Sequence, residues 1–283
     1  MGEPAVLSGG EYLAGVALVA LALALVVPGV VLLRARLLDW RGPPARLAEL
    51  VLTVAVLLWV AQILGTAAWL QPAAYLAGLA VAGLILLALA RWLPAADAST
   101  GAAASTGAAN AGVPGGRLVR RMVVGCCLLI AAAVGVRFAI LTAGAYGSGM
   151  TGFDSTWYHG TFAALFAQSG STIALEPIAP QYLSWFYPQN SELLHGLGIM
   201  LLERDLFSPG LNLGWLAGCM LACWCIGRPY GLAAPSLALG SIVLGSGLLT
   251  DQAGEARNDL PAVFFTLAAA AFILHSWRTR ATP

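Results

Sequence analysis

Long apolar runs constrain this chain more than any other feature, because a helix crossing a bilayer core of about 30 Å needs about 20 apolar residues. Seven runs reach or approach that length: 12–33, 47–70, 73–89, 122–141, 211–226, 232–249 and 260–275. Soluble domains carry about a quarter charged residues; here 10% of 283 residues are charged and 59% are hydrophobic. The chain therefore belongs in lipid. The expected fold is all-α, a polytopic membrane protein of about seven transmembrane helices with a long outer loop bearing two juxtamembrane helices. The N-terminal residues carry Glu3 and Glu11 but no Arg. They lack the positive segment of a signal peptide, and the first apolar run is too long for one, so it reads as a retained membrane helix.

Positive charge sets the expected orientation, since Arg accumulates in cytoplasmic loops. Arg34, Arg36, Arg41 and Arg46 follow the first run; Arg91, Arg117, Arg120 and Arg121 lie between the third and fourth; Arg228 lies between the fifth and sixth; Arg278 and Arg280 follow the seventh. On a seven-crossing count all fall on one side. That places the N-terminus outside and the C-terminus in the cytoplasm of a multi-pass protein of the plasma membrane. Residues 92–119 are mostly Ala, Gly, Ser and Thr with nothing to bury, as expected of a flexible cytoplasmic linker. It would separate a three-helix segment, 1–91, from a module at 120–283 with outer loops 144–210 and 250–260. The first three runs hold almost no ionisable group and read as packing or assembly elements. A net charge of +1 argues against a nucleic-acid partner, which needs clustered excess positive charge. Cys126, Cys127, Cys219, Cys223 and Cys225 all sit inside apolar runs, where packing is a better reading than a zinc or redox site.

Polar chemistry concentrates between Thr151 and His195. Tyr158, Phe162, Leu165 and Phe166 recur at helical spacing, which predicts an amphipathic helix lying along the interface with its apolar face toward lipid tails. Asp154 and Ser155 stand at its start, where a carboxylate can cap free N–H groups. After a Pro-rich, aromatic stretch, 190–202 reads as a second helix too short to span. The second outer loop, 250–261, brings Asp251, Glu255, Arg257 and Asp259 to the same side as Asp154. Two acidic loops then share one face.

These residues resemble the GT-C superfamily of integral-membrane glycosyltransferases, which includes protein O-mannosyltransferases and lipid A aminoarabinose transferases. The likeness rests on Asp154 just after a membrane helix, Tyr158 four residues on, a helix ending in Ser169-Gly170, and Tyr187-Pro188 with Gln189-Asn190 opening another helix. The run Glu255-Ala-Arg-Asn-Asp259 resembles the second acidic motif. The likeness covers roughly residues 120–280 and rests on spacing, topology and residue types together. It implies a polyprenyl-phosphate sugar donor, membrane lipids as surroundings, and transfer to an acceptor hydroxyl of a glycan, lipid or protein on the extracytoplasmic face. Asp154 would be the general base or help to hold a divalent metal ion, the one cofactor implied, and Asp259 the second-loop acid. Arg257, His159 and Arg137, in that order, are candidates to meet the lipid phosphate. Tyr158, Asn190, Glu192, His195 and Tyr187 complete the candidate substrate-binding set. Members of the superfamily carry more membrane helices and often a soluble C-terminal domain, so the likeness also implies C-terminal truncation.

Blander readings stand beside these. Asp154 can simply cap its helix, though the second acidic loop favours chemistry. Glu192 and His195, at i and i+3, can serve a metal, but a hydrogen-bonded pair or two solvated side chains is the plainer reading. His159 is equally an interfacial polar tip, and Arg137 a snorkelling side chain. Two other functions compete: a transporter, which would place ionisable groups mid-membrane in repeated halves, and a non-catalytic membrane partner or fragment of such an enzyme.

Overall fold

A computed structural model describes residues 8–94, 116–175 and 189–280. The first helix, α1 (Gly9–Leu37), opens with a capping box in which Ser8 and Glu11 satisfy each other's backbone N–H groups. Prolines preset the first turns of α2 (Pro43–Thr66) and α3 (Pro72–Trp92). Then come α4 (Arg117–Ser148), a π-helical turn at Ser155–His159 continuing into α5 (Gly160–Ser169), and α6 (Asn190–Leu202). The chain continues through α7 (Ser208–Gly227), α8 (Ala233–Leu244), the single turn α9 (Gly247–Thr250) and α10 (Asp259–Arg280). Of the linker expected at 92–119, residues 95–115 lie outside the described residues.

The protein is an all-α, multi-pass membrane protein. Among the described residues six helices, α1, α2, α3, α4, α7 and α10, are long and apolar enough to cross a membrane. The run 232–249, expected as another span, is broken. Gly245 closes α8 by donating to the Ser241 carbonyl, and Ser246 turns extended before α9; glycine is a poor helix former and serine prefers a helix start. At 12 residues, α8 is about 18 Å long, short of the bilayer core. After α9 comes an irregular segment, 251–258, most of it buried. Irregular backbone is tolerated at membrane depth only where protein satisfies it. Here the Asn212 side-chain amide donates to the carbonyls of Gln252, Glu255 and Arg257 at 3.0, 2.8 and 3.2 Å.

Two apolar clusters share α2. One joins Leu47 and Val54 to Phe138 of α4, Trp215 and Leu216 of α7, and Phe264 of α10. The other joins α1 to α3 with Phe162 and Phe166 of α5 and Leu193 and Leu197 of α6. Within it α1 and α3 nearly touch, since a Cβ at Gly83 would overlap the Leu25 carbonyl, the small-residue packing that membrane helices use. The expectation of a lipid-facing interfacial helix is therefore corrected: α5 turns its apolar face into the protein. Its buried stripe is Ser155, His159, Phe162 and Phe166, with Tyr158 only half-buried. The neighbouring helices, rather than hydrophobicity alone, choose which residues face inward.

Three of the four expected basic stretches, those after the first, fifth and seventh runs, come together in contacts. Arg228 Nη1 donates to the Arg41 carbonyl at 2.9 Å, Trp40 packs edge-on against His275, and the Arg278 guanidinium lies 4.7 Å from the Tyr230 ring. The α1–α2 connection, the α7–α8 connection and the end of α10 thus meet at one end of the bundle.

Candidate functional site

At the opposite end, four stretches distant in sequence are stitched together: 151–159, the start of α6, the start of α7, and 250–259. Glu255 Oε1 accepts the backbone N–H groups of Thr151 and Gly152 at 3.0 and 2.9 Å. A Cβ on Gly152 would lie 2.8 Å from the Glu255 carboxylate, so any larger residue there would push that carboxylate aside. The Ser155 hydroxyl accepts the Ala256 N–H at 3.0 Å. Asp154 does not cap its helix; its Oδ2 accepts from Arg257 Nη2 at 2.6 Å. The pair is partly open, with 31% and 28% of the two side chains exposed. The bonded Asp154 carboxylate raises the Arg257 pKa, so the guanidinium stays charged.

The π-helical turn, in which Gly160 N–H reaches the Ser155 carbonyl five residues back, carries His159 inward. Such turns are rare and recur at functional sites. Buried His159 Nδ1 pairs with buried Glu192 Oε1, and Asn258 Nδ2 reaches the same oxygen at 3.5 Å. The plainer readings of Glu192 and His195 are both corrected. They are neither solvated nor paired with each other, because α6 turns both into the core, where they are 1% and 0% exposed. His159 is likewise no interfacial tip. Neither ring nitrogen of His195 has a hydrogen-bond partner among the described residues. Burial first, and nearby His159 second, pull its pKa down to about 3, so its ring is neutral.

Asp259 opens α10, and its Oδ2 accepts from Gln252 Nε2 at 2.7 Å, while Gln252 Oε1 accepts the Leu260 N–H at 3.1 Å. Asp259 also lines a cavity of about 640 Å³ between α2, α6, α7 and α10, together with Asn190, Ser191 and Asn258. Asp154 is not among its lining residues but holds Arg257, two positions from Asp259.

Of the candidates read from sequence, Asp154, Tyr158, His159, Asn190, Glu192, His195, Arg257 and Asp259 come to this end of the molecule. The Tyr158 ring packs on His159 with centroids 4.0 Å apart. Arg137 does not join them: it lies on the exposed face of α4, where a long cationic side chain snorkels toward headgroups. Tyr187 lies outside the described residues. Among the described residues no three His, Cys, Asp or Glu side chains converge as metal ligands; Asp154 is engaged by Arg257, and His159 by Glu192. The four buried cysteines lie within α4 and α7, and Cys219 and Cys225 belong to the apolar core.

The sequence reading missed Asn212 and Gln252 and placed Ser155 only at a helix start, although the hydrogen bonds of all three hold the second loop, and it gave α2 no part in a site. Lone amides in apolar spans, such as Asn212 and Gln62, are the signal that marks such positions. Comparison with known proteins finds no match: no family model, no curated protein and no solved structure is similar to this chain.

Proposed function

We propose that the protein is an integral-membrane glycosyltransferase of the GT-C kind, moving a sugar from a polyprenyl-phosphate donor to an acceptor hydroxyl on the extracytoplasmic face. The observation that supports this is Asp259 in the wall of a cavity between membrane helices, with the Asp154–Arg257 pair beside it. The positive-inside tendency supports a cytoplasmic Arg-rich end and an outer acidic end.

In this reading the acceptor oxygen bonds to the sugar's anomeric carbon as the bond from that carbon to the phosphate oxygen breaks, and the phosphate leaves with the electron pair. The acceptor proton passes to Asp259, the carboxylate that lines the cavity. A guanidinium has five N–H donors, so Arg257 can hold Asp154 and still meet the leaving phosphate. Asp154 then orients Arg257, with proton abstraction by Asp154 itself as the other assignment.

The test is transfer of labelled sugar from polyprenyl-phosphate donors in proteoliposomes. General-base catalysis contributes roughly 10²- to 10⁴-fold, so Asp259→Asn is expected to lower transfer by about that factor, and Asp154→Asn and Arg257→Ala to lower it as well. Normal transfer by both carboxamide variants, correctly inserted, removes the mechanism. A second reading has its own support: Asp154 and Arg257 neutralise each other, as does a clamp in a non-catalytic partner of a larger enzyme. Co-purification with such an enzyme that survives Asp259→Asn, with no transfer by the chain alone, selects it.

A further inference from the structure

The cavity has a chemistry of its own that the ion pairs do not use. Its polar groups, Gln62, Asn190, Ser191, Asn258 and Asp259, cluster where α2 ends and α6 and α10 begin. From there the lining turns apolar, down α10 to Phe265 and back along α2 to Ala55, about 10 Å along each helix. Trp59 and Phe265, both lining residues, are 68% and 38% exposed on the outer surface of their spans. A site that is polar at the loop end, apolar below and bordered by exposed membrane-facing side chains suits an amphiphile reaching it sideways from the bilayer.

The polar set narrows the head group. Among the described lining residues there are three amides, one hydroxyl, one carboxylate and two indole N–H groups, and no Arg, Lys or His. A phosphate head seated among these groups would meet Asp259 with no cation in the lining, since Arg257 stands outside it. A quaternary ammonium would find the carboxylate but leave every N–H donor unused, which is costly in a dry site. Hydroxyls both donate and accept, as amides and serine do. Two lining residues also carry buried polar atoms without a partner among the described residues: the indole N–H of Trp215, itself 6% exposed, and the Ser191 hydroxyl.

We propose that this cavity is a lateral binding site for a neutral glycolipid, holding the hydroxyl-rich head among Asn190, Ser191, Asn258 and Asp259 and the start of its chain along Trp59 and Phe265. The inference goes beyond sugar transfer and does not depend on it.

The test uses the full chain in nanodiscs of phosphatidylcholine doped with a monohexosyl diacylglycerol or, separately, with phosphatidic acid, and reads bound lipid by native mass spectrometry. One hexosyl lipid per chain is expected, retained over phosphatidic acid and phosphatidylcholine by about tenfold, the factor that one well-made hydrogen bond supplies. Trp215→Phe, which removes only the N–H, and Ser191→Ala with Asn258→Ala should each reduce retention by a similar factor while melting temperatures confirm folding. If the double variant fails to fold, Trp215→Phe alone decides. Equal retention of the three lipids, a preference for phosphatidic acid or phosphatidylcholine, or retention unmoved by Trp215→Phe overturns the proposal. Hexosyl-lipid binding without sugar transfer would break the transfer reading alone; transfer without such binding would break this one alone.

Discussion

The two ends of the bundle both carry buried charge, and they treat it differently. At the Arg-rich end, Arg34 donates to Glu49 through Nε and Nη2 and to the Trp40 carbonyl through Nη1, while Arg46 takes the other Glu49 oxygen. No buried side-chain polar atom at that end lacks a partner among the described residues. At the acidic end, Glu192 Oε2, Glu255 Oε2, the Ser191 hydroxyl, the Trp215 N–H and both His195 nitrogens are buried without one. Native folds satisfy most buried polar groups. A saturated cluster is a clamp, whereas the acidic end keeps buried polar atoms that no described residue meets.

Breaking the clamp should have the largest effect on stability. Arg34→Ala leaves Glu49, whose side chain is 8% exposed, with Arg46 as its one remaining ion-pair partner among the described residues, and removing one partner of a buried pair costs up to about 3–5 kcal/mol. The measurement is thermal unfolding in detergent, and a melting temperature within a degree of the parent would refute the clamp. Next comes Glu192→Gln, which weakens a buried charge-assisted bond to His159, expected at about 1.5–3 kcal/mol; a silent variant would mean that α6 is not anchored by that bond.

Acid should act through His195. Its folded pKa is depressed to about 3 from an ordinary 6.5, so the unfolded chain binds the proton first. Stability is then full above about pH 6.5 and falls as pH drops toward 3. His195→Asn should flatten this slope in melts compared at pH 7 and pH 5, and an unchanged slope would place the acid sensitivity elsewhere. The smallest stability effect belongs to Asp154→Asn, because partly exposed pairs are worth about 0–1 kcal/mol. A fall in transfer with a near-parental melting temperature would sharpen the contrast between the two ends, and a large drop in melting temperature would make this pair a second clamp.

Much of the architecture was legible because membrane insertion is written locally. A run of apolar residues shows its length without knowledge of its neighbours, so the all-helical fold and the short helix from Asn190 to Leu202 could be read directly. The break at Gly245-Ser246 was also present in the sequence, hidden inside an apolar run that length alone read as a span. Glu49 was overlooked in the same way: one acid at the start of an apolar helix looks like a solvated end until Arg34 is brought against it from another helix.

By itself the sequence determined six of the seven expected long apolar helices, because a span's length and apolar character follow from the cost of exposing polar backbone to hydrocarbon. Only the tertiary structure decided who pairs with whom. Asp154 meets Arg257 across 103 positions, and His159 meets Glu192 across 33. A buried polar group takes whichever partner packing brings within hydrogen-bond distance, and periodicity over a few turns carries no record of that choice.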